Sequence, residues 1–248
     1  MNPQSRSYGA FPTRAAVDVA SYLRRVYLLF TGGVFFAIAG ALAALYLGTP
    51  VVLRGGDVAI EVAPLVAFGM AHPIVMLIVY IGAFFGASFA RRIPGLNVAA
   101  LFGYTLITGI FLAPTLFIAQ LYASQGGTLS ASPVRDAFLL TGLSFTGLSG
   151  YVLVTRKDFS FLGAALNMGV WVILGAMLLG FFFHSAAFQL AIASVGVLLF
   201  SGYILYDTSR ILHDRSENDA VGAALRLFLD VVNLFLFLLR ILSSSRER

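Results

Sequence analysis

Long runs of apolar residues, separated by short polar segments, make up almost the whole chain of 248 residues. A helix needs about 20 apolar residues in succession to cross the hydrocarbon core of a bilayer. Seven runs reach that length, with approximate bounds 26–47, 64–89, 97–122, 134–154, 161–182, 186–208 and 221–242. The pattern therefore predicts an all-α polytopic membrane protein, a bundle of seven transmembrane helices. Its predicted partner is the lipid bilayer that surrounds it.

The polar remainder of the chain is too short to form a second folded unit. Residues 1–25 form a polar N-terminal tail, residues 26–242 the transmembrane domain and residues 243–248 a short polar C-terminal tail. No small-residue cleavage site follows the first apolar run, so we expect a signal-anchor and not a removable signal peptide.

Small residues recur at four-residue intervals within two of the predicted spans. Such a stripe lets helix backbones approach closely in lipid, so we expect two packing faces. They consist of Gly82, Gly86 and Ala90 in the second span, and of Gly142, Thr146 and Gly150 in the fourth.

Composition agrees with the membrane assignment. The chain is 59% hydrophobic and 11% charged, whereas soluble domains carry roughly 25% charged residues. The net charge of +5 comes from basic residues spaced between apolar runs, which indicates membrane topology and no nucleic-acid partner. The absence of cysteine excludes disulfides, thiolate chemistry and cysteine metal sites.

The placement of the basic residues predicts the orientation. Most of the 16 Lys and Arg residues fall in the N-terminal tail and in every second loop after it, whereas the alternate loops contain Arg54 and Arg135. The positive-inside rule then places the N-terminus in the cytoplasm. A full last crossing would put Arg240 and the basic C-terminus outside, so a re-entrant last helix is the alternative.

Two aspartates interrupt the last two apolar runs. Asp207 ends the sixth run, and Asp230 lies inside the seventh, where a charge costs about 2.5–3.5 kcal/mol on insertion scales. Both are equidistant from the polar turn between them, so antiparallel helices would hold them at the same depth. Two adjacent carboxylates in a low dielectric share a proton and titrate as a unit, or a cation bridges them. The pair therefore predicts a proton-sensitive gate.

The alternative is that each acid pairs with an arginine on its own helix. Arg210 follows Asp207 by three residues and Arg226 precedes Asp230 by four, which are the spacings of neighbours on one helix face. Against this, Arg226, Asp230 and Asn233 form a polar stripe on an otherwise apolar helix. Such a stripe indicates a helix face directed into the bundle.

Two patterns suggest proteolysis without completing a catalytic site. "GLSG" (147–150) resembles the Gly-x-Ser-Gly pattern of rhomboid-type proteases, but Ser149 needs a histidine base at its depth, and His72, His184 and His213 are dispersed. The two acids on adjacent spans resemble intramembrane aspartyl proteases, but the glycines that precede the second acid there are absent. We therefore expect no enzyme and no resident cofactor, and the aspartyl protease stays the less favoured alternative.

Four segments together resemble signature segments of the Bax inhibitor-1 family. They are "GIFLAPTLF" (109–117), "TRKDFSFLG" (155–163), "SGYILYDTSRI" (201–211) and "LFLDVVNLFLFLLRIL" (227–242). The likeness extends from about Ala20 to the end of the chain, and the compact loops resemble those of a bacterial member. The resemblance implies a seven-helix bundle with the last helix at its centre, in a bacterial inner membrane.

The resemblance also implies a function and a site. Members are described as proton-sensitive calcium leak channels, and the eukaryotic ones as suppressors of cell death. Asp207 and Asp230 match the paired aspartates whose protonation sets the open or closed state, and Arg91 or Arg92 matches a basic residue that latches onto the pair. The chain departs from some calcium-conducting bacterial members, because it has no acid in the second span between Glu61 and Arg91.

The leading hypothesis is therefore a passive, pH-responsive cation leak with calcium as the transported ion. Asp207 and Asp230 are its gate and its candidate calcium ligands, and the supporting residues are Arg91, Arg92, Asn233, Arg210 and Arg226. The alternative is a regulatory membrane protein that binds and restrains a membrane quality-control protease, as the resemblance implies for some bacterial relatives through their N-terminal tails. Nothing in the sequence indicates an oligomeric state.

Overall fold

The structure is a computed structural model that describes residues 14–55, 58–125, 130–180, 182–183, 185–213 and 219–244. Its helices are α1 (Arg14–Tyr46), α2 (Pro64–Ala71), α3 (Pro73–Ala90), α4 (Leu96–Ser124), α5 (Pro133–Thr155), α6 (Gly163–Gly180), α7 (Ala186–His213) and α8 (Ala220–Leu242). A short 3₁₀ helix, Ser160–Leu162, precedes α6. Residues 1–13 of the predicted N-terminal tail, His184 and residues 245–248 of the C-terminal tail lie outside the described residues.

The all-α polytopic membrane class is confirmed. Within the described part of the chain, six helical segments are long and apolar enough to cross a membrane: Val19–Tyr46, Pro73–Ala90, Leu96–Ser124, Pro133–Thr155, Ser160–Gly180 and Ala186–His213. The seventh crossing depends on α8, which has 23 residues and is therefore about 35 Å long. The count of seven stays a prediction.

The second predicted span consists of two helices. Proline has no backbone N–H and disfavours helical geometry in the residue before it. His72, which precedes Pro73, accordingly has φ −128° and ψ 60°, and the chain breaks there between α2 and α3. By contrast, Pro114 lies inside α4 without ending that helix.

Two further elements differ from the sequence pattern. Helix α1 begins at Arg14 and not near residue 26, because alanines and other good helix formers extend the apolar helix into the tail. The segment between α1 and α2 forms an antiparallel hairpin of β1 (Val51–Gly55) and β2 (Val58–Val62). Its β-branched and aliphatic residues favour strands, with Val51 opposite Val62.

Long-range contacts fix the direction of the helices. At one end, which we call the basic end, Arg91 after α3 lies 3.9 Å from Asp219 before α8, and the ring of His213 contacts the Arg156 carbonyl oxygen at 3.1 Å. At the other, the hairpin end, the Ser130 N–H donates to the carbonyl oxygen of Leu242. Helix α8 thus runs the full length of the bundle, antiparallel to α7.

Helix α8 lies at the centre, as expected for the last helix. It packs against α1, α4, α5 and α7, and its buried residues are distributed around the helix. Leu227 and Leu234 have no exposed surface, and Phe228 is 1% exposed. Helices α3 and α6 are peripheral, since α3 packs mainly on α4 and α6 on α7.

The closest helix contact joins α1 and α4. A Cβ atom on Gly40 would overlap the backbone oxygen of Leu106, and one on Gly109 would overlap the backbone oxygen of Ala37. Two glycines therefore allow direct backbone contact, which is how helices associate closely in lipid.

The predicted small-residue packing faces on the second and fourth spans are wrong. A Cβ atom on Gly82, Gly86, Gly142 or Gly150 would meet nothing within 4 Å. A four-residue repeat shows that small residues share a face but not whether that face meets another helix. In this fold, neighbouring helices pack on other faces of α3 and α5.

We expect Gly109→Ala to destabilise the protein and Gly103→Ala, on the same helix, to leave it intact. The added methyl at residue 109 forces α1 away from α4, and overpacking of this kind costs about 1–3 kcal/mol. Residue 103 has open space, and alanine is about 0.8–1 kcal/mol better than glycine in a helix. Thermal unfolding of both variants in detergent measures the difference, and equal stabilities would contradict the assigned contact.

Candidate functional site

The structure brings Asp207 of α7 and Asp230 of α8 together. Their side chains are in hydrogen-bonding contact, and the two residues are 4% and 5% exposed. Asp230 is ten residues into α8, so the pair lies about 15 Å from the basic end, well inside the bundle. Equal distance from the turn places the two acids at one depth, and the packing of α7 against α8 turns them toward each other.

Arg226 completes the charged cluster from one turn earlier on α8. Its Nε atom lies 3.6 Å from Oδ1 of Asp207, so this arginine reaches across to α7 and does not simply pair along its own helix. Arg210 lies with its guanidinium 5.7 Å from the centre of the Tyr206 ring. The positive charge of Arg226 offsets one negative charge of the aspartate pair as long as the two stay in contact. Separating them would leave a buried charge without a counterion, which is strongly destabilising.

One oxygen of the pair has no hydrogen bond. Oδ2 of Asp230 is buried and finds no donor among the described residues. Asp230 also borders a cavity of about 380 Å³. Asn233, one turn further along α8, borders the same cavity, and its side-chain amide donates to the Leu229 carbonyl oxygen at 2.8 Å. Asp230 and Asn233 thus line the same cavity.

The implied arginine latch has a different partner in this structure. Arg91, at the end of α3, forms its ion pair with Asp219 and not with the aspartate pair, and Arg92 is exposed. The reason is depth, since Arg91 lies at the basic end, level with the first turn of α8. Sequence reasoning missed Asp219, although an aspartate directly before an apolar helical run is an N-cap signal. Its side chain accepts the Gly222 N–H at 2.8 Å.

The described residues contain no group of three or more His, Asp or Glu side chains that could hold a metal ion. Calcium takes six to eight oxygen ligands in most protein sites. Asp207 and Asp230 supply two carboxylates and have Arg226 beside them, so they resemble a weak, transient ion contact more than a resident calcium site. Calcium binding at the pair stays a prediction.

The family model described as inhibitor of apoptosis-promoting Bax1 matches residues 19–247. The chain belongs to the Bax inhibitor-1 family. An uncharacterized protein of Campylobacter jejuni is 35% identical over 98% of this chain and 96% of its own length. Protein lifeguard 4 of Mus musculus is 34% identical over 68% of this chain and 66% of its own. The Golgi anti-apoptotic protein of vaccinia virus (strain Lister) is 34% identical over 68% of this chain and 67% of its own length.

In this Bax inhibitor-1 family member, two of the segments that carry the resemblance contact each other at the basic end. The Ser209 hydroxyl of α7 donates to Asp158 at 3.2 Å and accepts the backbone N–H of Phe159 at 2.8 Å. The Ser160 N–H donates to the Asp158 carboxylate at 2.8 Å, and this bond lowers the pKa of Asp158 below its ordinary value. The contacts join the loop after α5 to the end of α7.

The serine-protease pattern has no base in the described structure. The hydroxyl of Ser149 is buried and lies 3.1 Å from that of Thr208. His72 lies at the break between α2 and α3, and the ring nitrogens of His213 contact the carbonyl oxygens of Ser209 and Arg156. The matching family model and the vaccinia virus relative are not named for an enzymatic activity, and the expectation that this chain is not an enzyme stays a prediction.

Three further predictions concern the surroundings of the chain. Multi-pass membrane location follows from the helices and the family, whereas the bacterial inner membrane and the cytoplasmic N-terminus stay predictions. The membrane protease partner stays a prediction too, because the N-terminal tail on which it depends lies largely outside the described residues.

We expect Asp219→Ala to destabilise the protein by about 1 kcal/mol, which is typical of a lost N-cap. Asp219→Asn keeps the cap acceptor but removes the ion pair with Arg91, and a partly exposed ion pair contributes about 0–1 kcal/mol. Thermal unfolding of the two variants in detergent separates the contributions. Equal losses in both variants would assign the stability to the ion pair and not to the cap.

Proposed function

We propose that the protein is a passive, pH-responsive cation leak channel whose gate is the Asp207–Asp230 pair and whose transported ion is calcium. One observation carries the proposal: two carboxylates from adjacent helices meet in a buried position inside a membrane bundle. Two buried carboxylates do not stabilise a membrane protein, because apolar residues at the same positions would give a more favourable free energy of folding and insertion. Their presence therefore favours a role in ion or proton handling.

The charge balance of the cluster supports a protonation switch. With one proton shared by Asp207 and Asp230, the remaining negative charge is balanced by Arg226 and the cluster is neutral. Loss of that proton leaves one excess negative charge in a low dielectric, where repulsion between the carboxylates is large. The excess charge is relieved when α7 and α8 separate or when a cation enters.

The other groups near the pair allow such a switch. Tyr203 of α7, Tyr80 of α3 and Tyr104 of α4 border the adjoining cavity and supply hydroxyl groups, not carboxylates or cations. On the side toward the basic end, Ile211 and Val221 belong to a buried apolar cluster around α8. We infer that this conformation is closed toward the basic end and that opening requires these apolar side chains to move.

The sparse ligand set supports a leak and not tight ion binding. The described residues hold no third acid near the pair, and Arg226 offsets part of its charge. An ion that is weakly held passes quickly, as conduction requires. We therefore expect low selectivity among small cations.

Calcium efflux from loaded proteoliposomes tests the proposal. For the wild-type protein we expect efflux to rise as the pH is raised, by at most about tenfold per pH unit, the limit for a gate controlled by one proton. Asp207→Asn and Asp230→Asn remove the ionisable pair, so each variant should lose the pH dependence.

The matched control is Asp136→Asn, because Asp136 lies at the hairpin end, bonded to Ser130 and Arg135 and away from the pair. We expect its efflux to follow that of the wild type. Unchanged efflux and unchanged pH response in both pair variants would refute the gate.

A further inference from the structure

The cavity beside Asp230 extends from the central helix to the periphery of the bundle. Side chains of α3, α4, α6, α7 and α8 surround it, including Ile81 of α3 and Val170 of α6. Ile81 is 43% exposed, and the neighbouring Trp171 of α6 is 71% exposed. Tyr80 is ten residues before the end of α3, which puts the cavity about 15 Å from the basic end. Its opening therefore faces the hydrocarbon of the bilayer, between α3 and α6.

Aromatic rings form opposite walls of this cavity. Tyr80 of α3 and Tyr104 of α4 lie with ring centroids 5.6 Å apart, and the Tyr104 hydroxyl donates to that of Tyr80 at 2.8 Å. On the α7 side, the rings of Phe200 and Tyr203 lie 5.8 Å apart. The face of each ring carries negative electrostatic potential, and a cation that has lost its water is attracted to it.

An acidic residue, Asp230, completes the lining. Asp230 is 5% exposed, and its Oδ2 atom has no hydrogen-bond donor among the described residues. The charged groups near it are Asp207 from α7 and Arg226 from α8, and the other titratable side chains of the lining are the tyrosines of α3, α4 and α7. The cluster therefore has one net negative charge whenever both carboxylates are ionised, and none of the described residues that line the cavity is Lys or Arg.

We propose that this cavity is an intramembrane binding site for a lipophilic organic cation, a quaternary ammonium or a hydrophobic amine, which enters from the bilayer between α3 and α6. Aromatic faces around a carboxylate are the chemistry that recognises an ammonium group. A bare metal ion fits less well, because the lining offers one carboxylate and mainly ring carbons. An anion would be repelled by Asp230.

This site goes beyond the proposed leak and shares Asp230 with its gate. Binding is therefore measured directly, without ion flux, so that each proposal can fail while the other holds. The probe is an alkyltrimethylammonium with a diazirine on its chain, added to the full-length protein in nanodiscs at alkaline pH, which favours the deprotonated form of the proposed gate. An alcohol and a sulfonate with the same diazirine chain serve as neutral and anionic comparison probes.

After photolysis, mass spectrometry should find the ammonium probe attached to residues around the cavity, from α3, α6 and α8. We expect the alcohol and the sulfonate to label these residues at least about tenfold less, as a buried ammonium–carboxylate contact implies. Excess benzyltrimethylammonium should displace the labelling. Equal labelling by all three probes, or labelling confined to the outer lipid-facing side chains, would overturn the proposal.

Two variants locate the site within the fold. Asp230→Asn should lower ammonium labelling by about tenfold, because it removes the countercharge. Val170→Phe should do the same by filling the cavity from α6 without touching the aspartate pair. Its control is Val172→Phe, two residues along α6, where the side chain is 66% exposed and faces away from the cavity.

Wild-type labelling in Val172→Phe together with loss in Val170→Phe supports the site even if Asp230→Asn fails to fold. Full labelling in Val170→Phe would overturn it. Val172 lies outside the cavity lining, so we expect Val172→Phe to keep the calcium efflux and the pH response of the wild type.

Discussion

A charge inside a bilayer is tolerated only where protein replaces the water that has been lost. Helix α8 meets that condition by running through the middle of the bundle, packed by α1, α4, α5 and α7. Asp230 therefore faces Asp207 and Arg226 and not the acyl chains. The other features of the site follow from this placement, because a carboxylate buried at that depth needs both a partner for its charge and a surrounding layer of helices that excludes lipid.

The surrounding layer is uneven, and this gives the site two sides. Toward the basic end, buried apolar side chains such as Ile211 and Val221 close the space around α8. Toward the periphery, α3 and α6 pack mainly on α4 and α7, and aromatic rings border a cavity that reaches Asp230. One acidic residue thus connects an interface between two helices with a space open to the hydrocarbon, so the proposed protonation switch and the proposed binding of a lipophilic cation involve the same residue.

Polar contacts at the basic end hold this arrangement together, and one set of them joins two of the segments that resemble the Bax inhibitor-1 family. Ser209 and Asp158 join the loop after α5 to the end of α7, two residues beyond Asp207. Asp219 caps α8 and pairs with Arg91, which fixes the start of the central helix at the end of α3. The polar contacts at the basic end therefore set the register of α7 and α8, and with it the depth at which their two acids meet.

The sequence by itself determined the approximate places of most of the long apolar helices, their alternating direction and the common depth of Asp207 and Asp230. These depend on quantities counted along one chain: apolar length and the distance from a turn. Only the tertiary structure decided that Arg226 reaches Asp207, that Arg91 pairs with Asp219, that Gly40 and Gly109 are the close-contact glycines, and that aromatic rings from three helices gather beside Asp230. Those features depend on the rotation of each helix about its axis, and that rotation is set by packing against all of its neighbours at once.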